Sequence, residues 1–133
     1  MATRTPVGES TCDDVPMTTV FIVDDHASFR ASAKALLAAD GYDVVGEAGD
    51  GEVAIGEIER LRPDVVLLDI QLPGLDGFEV ADRVAAGNRP PEIVLTSSRE
   101  LDDFGRLVAG SAARGFVPKA ELSGAALQAL LGP

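Results

Sequence analysis

Val65-Val66-Leu67-Leu68-Asp69-Ile70-Gln71-Leu72-Pro73-Gly74-Leu75-Asp76-Gly77 is the stretch that decides the fold. Four apolar residues run without polar alternation into an aspartate, and a Pro-Gly loop follows. A strand covered on both faces reads this way, and such strands belong to parallel sheets. Asp69 then stands at the carboxyl end of its strand, the edge of open α/β sheets where ligands collect. A carboxylate beside so apolar a strand calls for a metal, a partner or a reaction.

The same pattern repeats outward from this strand. Upstream, Thr19 to Val23 is a short β-branched and aromatic run, the first strand, and it ends in Asp24-Asp25-His26. Phe29, Ala33, Leu36 and Leu37 then share one helical face, and Asp40-Gly41 stops that helix. Tyr42 to Gly46 reads as the second strand. Asp50 is placed to cap a second helix whose inner face is Ala54, Ile58 and Leu61, and Arg62-Pro63 breaks it. Downstream, Asp76 and Glu79 have capping-box spacing for a third helix carrying Phe78, Ala81 and Val84. Ile93 to Thr96 is the fourth strand. Ser97 and Glu100 repeat the cap spacing before a short helix with Phe104, Leu107 and Val108. Gly115 to Pro118 is the fifth strand, and a last helix carries Leu122, Ala126, Leu127, Leu130 and Leu131. Five strands alternating with five helices predict an α/β, doubly wound sheet.

Composition bounds the function. The 133 residues suffice for one core, and 46% of them are hydrophobic, which favours a packed domain over a disordered chain. The net charge of −11, with basic residues scattered singly, argues against a nucleic-acid surface. One cysteine, Cys12, excludes an internal disulfide and a Cys/His metal centre. No run reaches transmembrane length and no signal-peptide core is visible, so the expectation is a cytoplasmic protein with no direct membrane partner. Residues 1 to 16 lack periodicity and are expected to be a disordered tail, leaving one domain over 17 to 133. Met17, just before the first strand, is an alternative start.

The polar residues at the strand ends form a set: Asp24 and Asp25 after the first strand, Asp69 after the third, Thr96 on the fourth, Lys119 after the fifth. Three crowded carboxylates raise one another's pKa, and a hard divalent cation relieves them. A lysine and a hydroxyl add donors for an anion. The parts are those of a phosphoryl-transfer site: carboxylate nucleophile, metal, ammonium and hydroxyl.

Val23-Asp24-Asp25, Leu68-Asp69-Ile70-Gln71-Leu72-Pro73-Gly74, Leu95-Thr96-Ser97 and Gly115-Phe116-Val117-Pro118-Lys119 together resemble the receiver domain of bacterial two-component response regulators. Asp-Asp-His, with Val45-Gly46-Glu47-Ala48 and Asp50-Gly51, resembles the NarL/FixJ-type subgroup. The resemblance spans roughly residues 18 to 132 and implies strand order 2-1-3-4-5 (flavodoxin-like). It implies that Asp69 is the phosphoacceptor, phosphorylated by a sensor histidine kinase or phosphotransfer protein. Asp25 would bind Mg²⁺ (or Mn²⁺) directly and Asp24 largely through water, with Asp69 and the Gln71 backbone carbonyl as further ligands. Thr96 would hydrogen-bond the phosphoryl group and Lys119 would pair with its oxygen. Phe116 takes the aromatic switch position. Output is expected through a protein partner or a second copy at the face of the fourth helix, fifth strand and fifth helix. Gln71 and Ser98, two residues past Asp69 and Thr96, would tune the phosphoryl lifetime. The DNA-binding domain usual in this subgroup has no span within these residues, so a stand-alone receiver and a part of a longer regulator are both open.

Other functions compete. An aspartate-nucleophile phosphohydrolase wants a second aspartate two residues after the nucleophile, where Gln71 cannot shuttle a proton. A flavin carrier wants a phosphate loop after the first strand, where Asp24-Asp25 repel it. A pseudo-receiver that only binds partners would not need the complete acidic set. His26 reads as structural or solvated, and Phe116 as core packing whatever else it does.

Overall fold

The stretch Val65–Asp69 is the central strand of the sheet, and every residue of it is buried. The computed structural model describes residues 18–98 and 108–131. In chain order the elements are β1 (Thr19–Val23), α1 (Ala27–Ala39), β2 (Asp43–Ala48), α2 (Gly51–Leu61), β3 (Val65–Asp69), α3 (Gly77–Ala85), β4 (Glu92–Ser97), β5 (Gly115–Pro118) and a C-terminal helix, Gly124–Leu131. A 3₁₀ turn, Lys119–Glu121, follows β5. The five strands pair in parallel in the order β2-β1-β3-β4-β5, as expected.

Strict alternation along the strands divides the core in two. Phe21, Val23, Val66, Leu68, Ile93 and Leu95 face α2 and α3 through Ala54, Ile58, Val80, Ala81 and Val84. Val20, Ile22, Val65, Leu67, Val94 and Val117 face α1 and the C-terminal helix through Ala33, Leu37 and Leu127. Each fully buried Leu or Ile contributes about 1.5–3 kcal/mol, so both faces hold the sheet in one register.

The helix signals act where the sequence puts them. Asp50 accepts a hydrogen bond from the Val53 N–H at 2.9 Å, and Asp76 from the Glu79 N–H at 2.9 Å. Arg62, before Pro63, takes a left-handed conformation that ends α2. Three elements differ from expectation, and β4 does so by one residue at each end, running from Glu92 to Ser97 rather than from Ile93 to Thr96. β2 starts at Asp43 and runs to Ala48, because the Asp43 N–H bonds to the Thr18 carbonyl while Glu47 and Ala48 still pair with Ile22 and Val23. Tyr42 is instead buried, and its hydroxyl donates to the Gly124 carbonyl at 3.4 Å. Leu122 precedes the last helix rather than lying on it. Ser123 supplies the cap, accepting from the Ala126 N–H at 2.9 Å, yet Leu122 is still buried. The expected tail, and Phe104 and Leu107 of the expected fourth helix, lie outside the described residues. Val108 packs on the α2–α3 side.

Two local contacts place the carboxyl edge. Arg114 donates to the Leu130 and Leu131 carbonyls, each at 3.0 Å, and pairs with Glu92, which ties the C-terminal helix to β4 and β5. Gly77, first residue of α3, lies so close to the end of β3 that a Cβ there would strike the Asp69 carbonyl oxygen and Ile70 Cα. Its N–H donates to the Ile70 carbonyl at 2.8 Å. Gly77→Ala should therefore cost about 1–3 kcal/mol or more by overpacking. Urea unfolding reads this as a lowered midpoint at unchanged slope; an unchanged midpoint would contradict so close an approach.

Candidate functional site

Ile22, Leu67 and Val94 point to the α1 side of the sheet. Two residues further on, alternation carries Asp24, Asp69 and Thr96 to that same side at the carboxyl edge. Asp24 is still in register, its N–H bonded to the Ala48 carbonyl at 3.0 Å. Asp69 pairs with Thr96 across β3 and β4, and Thr96 with Val117 across β4 and β5. Lys119 follows Val117 by two residues and turns back over the same edge.

The result is a cluster around two buried acids. Asp24 is fully buried and Asp69 2% exposed. Ligand atoms of Asp24, Asp25, His26 and Asp69 all lie within 4.8 Å of one another. Lys119 Nζ stands 2.6 Å from Asp24 Oδ2 and 3.3 Å from Asp69 Oδ2. Backbone N–H groups hold the opposite oxygens: His26 donates to Asp24 Oδ1 at 2.8 Å and Gln71 to Asp69 Oδ1 at 3.0 Å.

Burial is the largest influence on Asp69 and holds its carboxyl above the ordinary carboxylate value. Repulsion from Asp24 adds to it, against the opposing pull of the Gln71 N–H and Lys119. For Lys119, burial works to lower the pKa, but hydrogen bonding and charge from Asp24 and Asp69 outweigh it, and the net direction is upward. The ammonium stays charged.

The donor set fits a hard divalent cation. Its three carboxylates, Asp24, Asp25 and Asp69, supply the oxygen ligands that suit Mg²⁺ or Mn²⁺, while the His26 imidazole in the same cluster is a borderline donor and does not argue for a hard ion. Among the described residues, Thr96 Oγ1 is buried without a hydrogen bond, a need that the oxygen of a bound anion would meet, whereas Asp24 Oδ2 already has the Lys119 ammonium at 2.6 Å.

Asp24, Asp25, Asp69 and Lys119 come together as expected, with Thr96 beside them. The side chains of Gln71 and Ser98 are exposed at the rim. Phe116 is set apart: it registers with Leu95 and packs on the α2–α3 side, opposite the side to which Thr96 points. Two residues enter the site that the sequence reading set aside or passed over. The His26 ring is exposed, yet its Nδ1 lies 3.2 Å from Asp24 and 3.1 Å from Asp25. Arg30 donates to the Asp24 backbone carbonyl at 2.6 Å and pairs with Glu47 at 2.7 Å, bracing the acidic loop. Its position one turn into the helix after Asp24-Asp25 was the available signal.

Residues 20–131 match the family model described as the response regulator receiver domain. The chain is 37% identical over 83 residues to the transcriptional regulatory protein PdtaR of Mycobacterium tuberculosis, covering 62% of this chain and 40% of that protein. It is 43% identical over 109 residues to protein-glutamate methylesterase/protein-glutamine glutaminase 6 of Anaeromyxobacter dehalogenans, covering 80% of this chain and 31% of that one. It thus spans well under half of these two curated relatives. Among solved structures, the signal receiver domain of the response regulator NarL from Mycobacterium tuberculosis superposes with a TM-score of 0.77 at 33% identity, covering 90% of this chain and 100% of the other.

The raised pKa of Asp69 has a consequence for stability. Stability from the protonated carboxyl is fully present below its unfolded value and is lost as pH rises through the higher folded value. Asp69→Asn removes that loss. Without divalent metal, the variant should melt a few degrees above wild type at neutral pH, with the gap closing in acid. Thermal melts in chelator from about pH 4 to pH 8 measure this; equal melting temperatures throughout would contradict it.

Proposed function

This chain belongs to the response regulator receiver domain family, and on that premise we propose that it accepts a phosphoryl group on Asp69 in two-component signalling. The observation that carries the reading is the buried Asp69 faced by Lys119, with Asp24 beside it and the Thr96 hydroxyl, which has no hydrogen bond among the described residues. The donor is a sensor histidine kinase or a phosphotransfer protein, in the cytoplasm. One Asp69 carboxylate oxygen attacks phosphorus in line. The bond from phosphorus to the donor's imidazole nitrogen breaks, and an acyl phosphate forms on Asp69. The donor histidine leaves with the electron pair and takes its proton from solvent.

Each neighbour has a task. Lys119 neutralises one oxygen of the phosphoryl group, and the Thr96 hydroxyl donates to another. Asp24, Asp25 and Asp69, with the Gln71 carbonyl, are the residues that would hold Mg²⁺ or Mn²⁺. The ion, when bound, offsets the negative charge of the attacking carboxylate and the phosphoryl oxygens together. Gln71 and Ser98 cannot act as strong bases at neutral pH, so they orient or exclude the water that hydrolyses the product. The chain is a phosphoacceptor and not a turnover enzyme in this reading.

Incubation with acetyl phosphate and Mg²⁺ should add one phosphate mass. Asp69→Asn and excess chelator should each abolish it, and Lys119→Ala should slow it by about 10²-fold while leaving Mg²⁺ affinity largely intact. Labelling of the Asn variant at the wild-type rate would remove Asp69 from the role.

Output is the finer part of the proposal. Thr96 and Phe116 point to opposite sides of the sheet, so coupling between them runs around the carboxyl end of β4 rather than across one face. Phe116 carries no hydroxyl, so moving its ring inward buries no unpaired polar group. The face of β5 and the C-terminal helix would then meet a protein partner or a second copy. Beryllofluoride with Mg²⁺, standing in for the phosphoryl group, should change amide hydrogen exchange around Thr96, Val108 and Phe116. Changes confined to the loops holding Asp25 and Asp69 would rule out this switch.

A further inference from the structure

We propose that Phe29 is a positioning residue for Lys119, holding its ammonium over the acidic edge; the inference rests on the phosphoacceptor reading of Asp69. Phe29 is the third residue of α1, half-buried and packed against the core on the α1 side. Lys119 Nζ lies 4.6 Å from the centroid of its ring, within range of a cation–π contact. The same nitrogen touches Asp24 and Asp69, and the side chain is 14% exposed. Three surfaces therefore confine one ammonium: two carboxylates and an aromatic face.

The ring differs from the carboxylates in a way that matters for the reaction. A lysine stem has four rotatable bonds and loses much freedom when its head is fixed. Asp24 fixes the head but also neutralises it and competes with an incoming anion. The ring face attracts the cation through its quadrupole without cancelling its charge. It also covers one side of the ammonium from water, which strengthens its pull on a phosphoryl oxygen. When that oxygen arrives beside Asp69, Lys119 has only to shift its balance from Asp24 toward the anion, with Phe29 still beneath it. Leucine at this position would keep the core contact and lose the cation-holding face.

The test compares wild type, Phe29→Leu, Phe29→Tyr, Lys119→Ala and the Phe29→Leu/Lys119→Ala double variant. Each is phosphorylated with acetyl phosphate at saturating Mg²⁺, and Mg²⁺ affinity is titrated separately. Phe29→Leu should lower the phosphorylation rate roughly five- to twentyfold, and Phe29→Tyr should stay within about twofold of wild type. Mg²⁺ affinity should be unchanged in both. In the Lys119→Ala background the leucine should have no further effect. A wild-type rate in Phe29→Leu, or the same loss with and without Lys119, would overturn the inference. A second measurement needs no variant to fold: in the wild-type protein the Lys119 ε-methylene protons should be shifted upfield by the ring, and ordinary lysine shifts would overturn the contact. If wild type itself fails to gain phosphate, the phosphoacceptor reading falls, and the proton shifts still decide whether Phe29 holds Lys119.

Discussion

Two buried carboxylates share one ammonium, and most of what surrounds them follows from that. Asp24 and Asp69 are shielded from water, and Lys119 Nζ lies 2.6 Å and 3.3 Å from them. Asp25, partly exposed, adds a third negative charge within the same small volume. Like charges 4 Å apart repel by about 4 kcal/mol at an effective dielectric of 20, so one lysine cannot balance three acids. The backbone lends N–H groups from His26 and Gln71, and Arg30 anchors the Asp24 carbonyl. The remaining imbalance is the opening for a divalent cation.

The parallel sheet makes this crowding possible. All five strands run the same way, so their carboxyl ends meet at one edge. The alternation that buries Ile22, Leu67 and Val94 carries Asp24, Asp69 and Thr96 to one side of that edge. Two well-packed faces keep the strands from slipping, since a one-residue slip would turn every one of these side chains to the other side. Core packing thus supplies the positional accuracy that the proposed phosphoryl transfer would demand. The Thr96 hydroxyl, buried without a hydrogen-bond partner among the described residues, is a donor that a bound anion would satisfy.

The parts of this arrangement that depend on local chemistry were legible in the sequence. Val65 to Leu68 announces a central strand because no polar residue interrupts it. Asp50 and Asp76 announce helix starts because their side chains reach N–H groups three residues on. The acidic pair, Asp69 and Lys119 are legible because each ends or follows a strand, and the topology does the rest. What was not legible depends on contacts between distant segments. Tyr42 looked like a strand residue by propensity, but its N–H bonds back to the Leu37 carbonyl and its hydroxyl reaches the Gly124 carbonyl, so the pairing with Thr18 begins at Asp43. Leu122 had helical spacing, yet Ser123 supplied a better cap one residue later. Phe29 was plain core by periodicity; only the fold brings the Lys119 ammonium over its ring. Arg30 carried a signal in its place one turn into the helix after the acidic pair, but its bond to the Asp24 carbonyl, like the contacts of His26, depends on how the loop folds back.

The decisive measurement is the position of the acyl phosphate. Protein treated with acetyl phosphate and Mg²⁺ is reduced with borohydride, which converts a phosphorylated aspartate to homoserine, and is then mapped by tandem mass spectrometry. Homoserine at position 69 alone is the expected result. Homoserine at 24 or 25, or at no position despite a gain of phosphate mass, would contradict the assignment of Asp69 as the residue around which this site is built.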